Sequence, residues 1–452
     1  MSAYTKVIAN LVFPAQERLK GHSTVAARQA LELSQWLTPP QLQALQLQRL
    51  NRLLSVAAEH VPYYRDLFAR LGVRAGSFTS ISELQQLPLL TKALIRANTV
   101  ALKHEQATGL SRFNTGGSSG EPLIFFIGKA RISHDVAAKW RATRWWGVDI
   151  GDPEMVVWGS PIELGSQDRL RGLRDKLMRT ELLPAFEMSA SRLDGFIAAI
   201  RRKRPAMLFG YPSALSHIAR HARERGIAMD DLGIKVAFVT SERLYEEQRA
   251  QISTVFGCPV ANGYGGRDAG FIAHECPAGG MHLSAEDVIV ELLDPAGRPV
   301  APGKAGEIVV THLATGEFPF IRYRTGDIAV MDDQQCACGR GLPMLKEIQG
   351  RTTDFVIAAD GTVLHGLALI YILRDLPGLR AFKVIQHSRD CTEVQLVAES
   401  SADSGANPIA TSAIIAGFKR RLGAAVEIRV KIVEAIEAEK SGKFRYIVSH
   451  AS

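Results

Sequence analysis

AMLFGYPSALSHIARHARERGIAMDDLGIKVAFV, residues 206 to 239, decides the architecture of the chain. Ala206 to Phe209 reads as a short buried strand, Ser213 to Arg225 as a helix that Gly226 can terminate, and Val236 to Val239 as a second strand. The rhythm continues in both directions. Downstream, Leu244 to Phe256 is a helix and Pro259-Val260-Ala261 opens another strand; upstream, Met155 to Trp158 is a buried strand and Ser191 to Arg202 a helix. Such alternation implies βαβ units and a sheet that is at least partly parallel. Ligands of such folds bind outside the carboxyl ends of the strands, so the loops there are where chemistry is expected.

Further out the pattern changes. Val288 to Leu293 and Ile308 to Leu313 look like strands joined by the turn-rich Asp294-Pro295-Ala296-Gly297. The first hundred residues look helical: Thr38 can cap a helix begun by Pro39 and Pro40, whose Leu50, Leu53, Leu54 and Ala57 share one face until Pro62 breaks it. After about Gly350 the composition is that of a small α+β unit, interrupted by a polar loop from Ser400 to Pro408. The expected fold is α/β, with a large domain over 1–349 and a small one over 350–452.

Composition bounds the function. A hydrophobic share of 46% over 452 residues supplies a sizeable core and two or three domains. The excess of 54 basic over 46 acidic residues suits an anionic ligand such as a nucleotide. It argues against nucleic acid, because no dense basic block or aromatic stripe accompanies it; Arg201 to Arg204 ends a helix. No apolar run reaches membrane-spanning length. The stretch Val7 to Ala15, interrupted by Asn10 and Pro14, reads as a docked segment rather than a signal peptide. Five cysteines are too few and too odd a set for a secreted disulfide framework, which makes the cytoplasm the expected location.

Four motifs carry chemistry. Thr115-Gly116-Gly117-Ser118-Ser119-Gly120 offers successive backbone N–H groups and hydroxyls to a phosphate, without the Gly-Lys-Ser/Thr of a P-loop. Tyr264-Gly265-Gly266-Arg267-Asp268 follows a strand and joins an aromatic for a base to an acid for a metal. Arg322-Tyr323-Arg324-Thr325-Gly326-Asp327 places an acid in a tight turn after a strand, where it can accept from two ribose hydroxyls. Lys440-Ser441-Gly442-Lys443 can deliver a lysine to a developing charge. Taken singly, each also reads blandly as a turn, a surface ion pair or a basic loop.

In this order and spacing the four resemble the adenylate-forming superfamily, most closely its phenylacetate–coenzyme A ligase and CapK-type branch. The resemblance runs from His60-Val61-Pro62-Tyr63-Tyr64-Arg65 and Leu87-Pro88-Leu89-Leu90-Thr91-Lys92 to Lys443. It implies an ATP- and Mg²⁺-dependent ligase that makes an acyl-adenylate and passes the acyl group to a thiol, first of all coenzyme A. An amine, hydroxyl or carrier-protein acceptor is the alternative. It also implies a small domain that rotates between half-reactions. Thr115 to Gly120 would wrap the ATP phosphates, Tyr264 and Gly265 lie along adenine, and Asp268 face Mg²⁺. Asp327 would hold ribose, Arg351 contact the nucleotide, and Lys443 act as the mobile catalytic lysine. Arg267 and Asp268 stand where the superfamily usually has Thr/Ser and Glu. The usual hinge acid falls at Thr353, with Asp354 next. Tyr211-Pro212-Ser213 lies where the family places its acyl pocket, and a homodimer is compatible with the family.

Cys276 and His282, followed by Cys336-Ala337-Cys338, form a normal tetrahedral zinc set, although Cys-x-Cys is tighter than the usual pair. CapK-type relatives look similar here. His274 is a weaker fourth ligand, and the bland reading is free thiols near a core histidine. A non-catalytic zinc-bearing binding protein on the same fold is the rival from another class; Lys443 in its Ser-Gly-Lys context argues against it. Trp140, Trp145, Trp146 and Trp158 are either core or an aryl pocket, and the acid itself is not readable.

Overall fold

The computed structural model describes residues 2–114, 123–158, 169–185, 188–351, 355–365, 367–374, 376, 378–398, 411–436 and 446–451. Its contacts divide the chain into two compact units, Met1–Gln349 and Gly350–Ser452.

The first unit starts helical. Ala3 to Leu19 is continuous helix with a π segment at Ile8–Val12. It buries Ile8, Ala9 and Phe13, the last edge-on to Trp140 at 5.1 Å, so this apolar stretch is docked on the fold. Thr38 and Gln41 form a capping box at the start of the helix Pro39–His60. Its Leu50, Leu53, Leu54 and Ala57 are fully buried, as their spacing requires. Val61 is extended, and Pro62 restarts a helix to Leu71 that Gly72 closes at φ 65°. The proline therefore separates two helices rather than ending helical structure.

Among the described residues thirteen strands follow: β1 (Ser111–Asn114), β2 (Ile124–Ile127), β3 (Glu154–Trp158), β4 (Thr180–Pro184), β5 (Met207–Gly210), β6 (Val236–Thr240), β7 (Val260–Gly266), β8 (Gly270–Glu275), β9 (Met281–Leu283), β10 (Val288–Leu293), β11 (Ala305–His312), β12 (Tyr323–Asp332) and β13 (Met344–Arg351). β1 and β2 pair as a hairpin; the other eleven form one sheet in the order β10-β11-β12-β13-β9-β8-β7-β6-β5-β3-β4. From β4 to β7 the sheet is parallel. All five residues of β6 are buried, as expected of a strand covered on both faces. The helices Ala190–Lys203, Pro212–Glu224 and Glu246–Phe256 supply the crossovers, and their Ile197, Leu215, Ile218, Ile252 and Phe256 pack on the sheet. At β7 the sense changes: β8 returns antiparallel to β7, and the pairs β8–β9, β9–β13, β10–β11 and β11–β12 are antiparallel as well. The helices at 39–60 and 62–71 cover that half, sharing a core with Ile308, Val310, Phe320 and Tyr323.

The second unit holds the hairpin β14 (Phe355–Ile357) and β15 (Val363–His365), and a sheet of β16 (Leu379–Ser388), β17 (Cys391–Ala398), β18 (Glu427–Ile432) and β19 (Ile447–Ser449) in the order β18-β17-β16-β19. The helices Leu367–Arg374 and Thr411–Leu422 bury Leu369, Leu373, Ile414 and Phe418. The polar stretch 400–408 lies outside the described residues. Among the described residues no helix is long and apolar enough to cross a membrane.

Candidate nucleotide and metal sites

The Tyr264 motif closes β7 and turns into β8, at the edge between the parallel and antiparallel halves. Glycine is required there by close approach: a Cβ on Gly265 would stand 2.2 Å from the Gly270 carbonyl oxygen, and one on Gly263 2.6 Å from the Phe238 ring. The turn is held from beneath. Arg131, only 1% exposed, reaches the carbonyl oxygens of Arg267 and Asp268 at 3.3 and 3.4 Å, while its Nε donates to Asp135 at 2.9 Å.

The sequence predicts Asp327 in a turn after a strand. The structure places it inside β12, in a bulge. Across β11, Val309 faces Arg324 but Glu307 faces Ile328, so Thr325, Gly326 and Asp327 are looped out of the ladder. Gly326 takes φ 81°. The bulge is tied down by Thr325 Oγ1 donating to the Ile308 carbonyl at 2.8 Å, the Gly326 N–H on Glu307 at 3.2 Å, and the Asp327 N–H on Thr325 Oγ1 at 3.0 Å.

The two motifs meet and cross. Tyr264 donates its hydroxyl to Asp327 Oδ2 at 2.8 Å, and Tyr323 donates to Asp268 Oδ2 at 2.6 Å. Each tyrosine thus holds the acid of the other motif. The Asp268 carboxylate also accepts from the Ala269 N–H, 3.1 Å from Oδ1. A hard oxygen donor, half-buried and fixed by two hydrogen bonds, suits a magnesium ion held through one carboxylate and phosphate oxygens.

Tyr211, Pro212 and Ser213 follow β5 at its carboxyl end. Tyr211 is buried and stacks on Trp158 at 4.4 Å, an aromatic wall across β3 and β5. The Ser213 N–H donates to Glu242 at 3.2 Å, an acid beyond β6 that sequence reasoning had no signal to pick out. Trp140 is core, and Trp145 and Trp146 are half-buried. Arg351 ends β13, with its side chain outside the described residues. Thr115 to Gly120, Thr353, Asp354 and Lys443 also lie outside them.

Cys276, His282, Cys336 and Cys338 converge, their ligand atoms all within 4.8 Å of one another. Cys276 follows β8, His282 lies in β9, and the other pair lies between β12 and β13. The Cys276 and Cys336 sulfurs are 3.6 Å apart, and Cys338 Sγ is 3.2 Å from His282 Nε2. Zinc bond lengths imply tetrahedral edges of about 3.5–3.8 Å. His282 Nδ1 sits 3.3 Å from the Leu342 carbonyl, which puts its proton on Nδ1 and leaves Nε2 as the donor to a metal. A Cβ on Gly280 would lie 2.6 Å from the Cys336 sulfur and 3.1 Å from His282 Nε2, so the cradle needs glycine. Without a metal, burial pushes the Cys276 thiol up to about 12. Burial also opposes the Cys338 thiolate, but hydrogen bonds from Arg340 and the neighbouring cysteines hold it below the usual thiol range. Donor chemistry and tautomer fit zinc, and the Cys276–Cys336 separation matches a tetrahedral edge. Arg340 in turn lies over Trp145 at 4.4 Å and bonds Gln35, linking this knot to the N-terminal helices. His274 is not in the group: it stacks on Phe271 at 5.2 Å. Cys258 is buried, its thiol pushed up to about 12 by burial.

A second cluster, His134, Asp135 and His312, also has metal-like spacing. Its tautomers argue otherwise. The Ala314 N–H donates to His312 Nδ1 at 3.3 Å, so Nε2 carries the proton and faces Asp135 at 3.8 Å. A cation would also stand beside the Arg131 guanidinium. Burial lowers His312 to about 3, consistent with a neutral ring in a structural network.

The comparisons with known proteins give the class, an AMP-forming ligase. A family model described as AMP-binding enzyme matches residues 183–315, and one described as CapK C-terminal domain matches residues 356–450. Phenylacetate-coenzyme A ligase of Thermus thermophilus is 28% identical over 327 residues, 70% of this chain and 72% of that protein. Protein CapK of Staphylococcus aureus is 22% identical over 416 residues, 90% of this chain and 89% of that one. The structure of 2-hydroxyisobutyryl-CoA ligase in the postadenylation state, in complex with R3-HIB-AMP, shares the fold with a TM-score of 0.73 at 21% identity, covering 92% of this chain and 90% of that one. The chain thus carries an AMP-binding domain and a CapK C-terminal domain, and its relatives, phenylacetate-coenzyme A ligases and CapK, are those of the adenylate-forming superfamily.

Proposed function

We propose that the chain activates an aryl or acyl carboxylic acid with ATP and transfers it to a thiol, first of all that of coenzyme A. The observation that carries this reading is the crossed contact of the two motifs, which brings Tyr264, Asp268 and Asp327 together. In the first step a carboxylate oxygen attacks the α-phosphorus, its bond to the β-phosphate oxygen breaks, and pyrophosphate leaves. Both reactants are anionic, so cationic help decides the rate. Magnesium held at Asp268 would screen the phosphate charge. The N–H groups of Thr115 to Gly120 share that task, and Lys443 neutralises the charge that builds on the phosphorus. Asp327 accepts from ribose once Tyr264 turns to the adenine, and Arg351 contacts the nucleotide. Tyr211, Pro212 and Ser213 border the acyl group. In the second step the thiol sulfur attacks the acyl carbon, AMP leaves, and the thiol proton passes to solvent. Rotation of the unit that begins near residue 350 would withdraw Lys443 between the steps.

A screen of aryl, fatty and amino acids for pyrophosphate release, with and without coenzyme A, tests this. One acid class should release pyrophosphate, and coenzyme A should convert the adenylate to thioester and AMP. Release that no acid stimulates would reject the reading. Release with an acid, but acyl transfer only to an amine, hydroxyl or carrier protein, would move the acceptor to the alternative class.

The four-residue cluster of Cys276, His282, Cys336 and Cys338 is proposed to hold a structural zinc. Protein purified without added metal should contain about one zinc per chain by elemental analysis. Stoichiometry near zero would leave the cluster as free thiols.

A further inference from the structure

We propose that Tyr323 is the positioning residue for the metal-facing acid, fixing the Asp268 carboxylate so that its free lone pairs meet the cation. The proposal rests on the reading of Asp268 as the magnesium ligand. Aspartate is one methylene shorter than glutamate, so a small rotation of its carboxylate changes its reach more than a flexible longer acid would feel. Something must hold it. The Tyr323 phenol donates to Oδ2 at 2.6 Å, the short distance of a charge-assisted bond.

Tyr323 is itself a rigid post. It is fully buried, edge-on to Phe320 at 5.1 Å. Its backbone is clamped on both sides: the Leu90 N–H donates to the Arg322 carbonyl at 2.9 Å, and the Arg324 N–H to the Leu90 carbonyl at 3.0 Å. Arg322 takes φ 53°, a left-handed conformation that a non-glycine residue adopts only when its surroundings over-determine it. Those surroundings are explicit: the buried Arg322 guanidinium bonds both Glu291 oxygens at 3.0 and 2.9 Å and the Leu87 carbonyl at 2.6 Å. A strained backbone, an ion pair with a buried guanidinium and a strand bridge thus converge on one phenol whose partner is the Asp268 carboxylate.

The test is Tyr323→Phe, alone and combined with Asp268→Asn. The readouts are Mn²⁺ affinity of the enzyme with α,β-methylene-ATP, by electron paramagnetic resonance, and the Mg²⁺ dependence of acid-driven ATP–pyrophosphate exchange. Losing a hydrogen bond to a charged group should weaken Mn²⁺ binding and raise the Mg²⁺ requirement roughly tenfold. The ATP KM at saturating Mg²⁺ and the melting temperature should barely move. In the Asp268→Asn background the phenylalanine should add nothing to the Mn²⁺ effect. Unchanged Mn²⁺ affinity in Tyr323→Phe, where Asp268→Asn does weaken it, would overturn the positioning role. So would an equal loss in both backgrounds. Unchanged affinity in Asp268→Asn itself would instead overturn the metal reading beneath it.

Discussion

Replacing Lys443 with alanine is expected to lower acid-dependent ATP–pyrophosphate exchange by roughly 10²–10³-fold, the usual cost of one donor aimed at charge that develops in the transition state. The α-phosphorus gains negative charge only as the carboxylate oxygen arrives, so a lysine that serves it contributes little to the ground state. ATP affinity, measured by equilibrium titration, should therefore fall far less than the exchange rate. Lys443→Arg should recover only part of the loss, because a planar guanidinium does not replace a compact ammonium. An exchange rate untouched by the alanine would remove Lys443 from the chemistry and leave Asp268 and the Thr115–Gly120 loop as the sources of stabilisation to examine next.

Glu286→Ala should destabilise the first unit by about 3–5 kcal/mol, measured as a fall in the denaturant midpoint. Arg141 and Glu286 are 1% and 0% exposed and form a salt bridge. Arg141 also donates to the Leu31 carbonyl at 3.2 Å, and the Ser34 hydroxyl donates to the glutamate at 3.1 Å. Truncating the acid leaves a guanidinium in the interior without its counter-charge, which costs far more than the intact pair gains. The control is Arg141→Met with Glu286→Leu, which removes both charges and should regain most of the loss. A midpoint unmoved by Glu286→Ala would show that water or a shifted side chain satisfies Arg141. The two units can unfold separately, so the transition followed should be assigned to the first.

Much of this was readable from residues alone because the physics was local. Pro39 after Thr38, the four residues Leu50, Leu53, Leu54 and Ala57, and the apolar runs at 206–209 and 236–239 announce their elements through capping, period and burial, within a residue of the observed strands. What was missed depends on distance along the chain. Asp327 carries no local mark of the bulge that lifts it from β12, because that bulge is set by its register against β11. Tyr323 lies within a recognisable motif, yet nothing near it in sequence says that its hydroxyl meets Asp268, 55 residues earlier. Glu242 and Arg131 act on Ser213 and on the Arg267–Asp268 turn across the fold, and each resembles any other charged residue until then. The cysteines and histidine of the cluster were legible because few other residue combinations share that donor chemistry.

The strand order has a consequence for how the protein is made. β13, the final strand of the first unit, lies between β12 and β9. During synthesis the early βαβ layers can assemble as they emerge, but the two flanks of the sheet stay unjoined until residues 344–351 clear the ribosome. Until then β9 and β12 each present a raw, unpaired border, the kind that invites misassociation with a neighbouring chain. Nascent polypeptides stalled short of that point would be natural clients for chaperones.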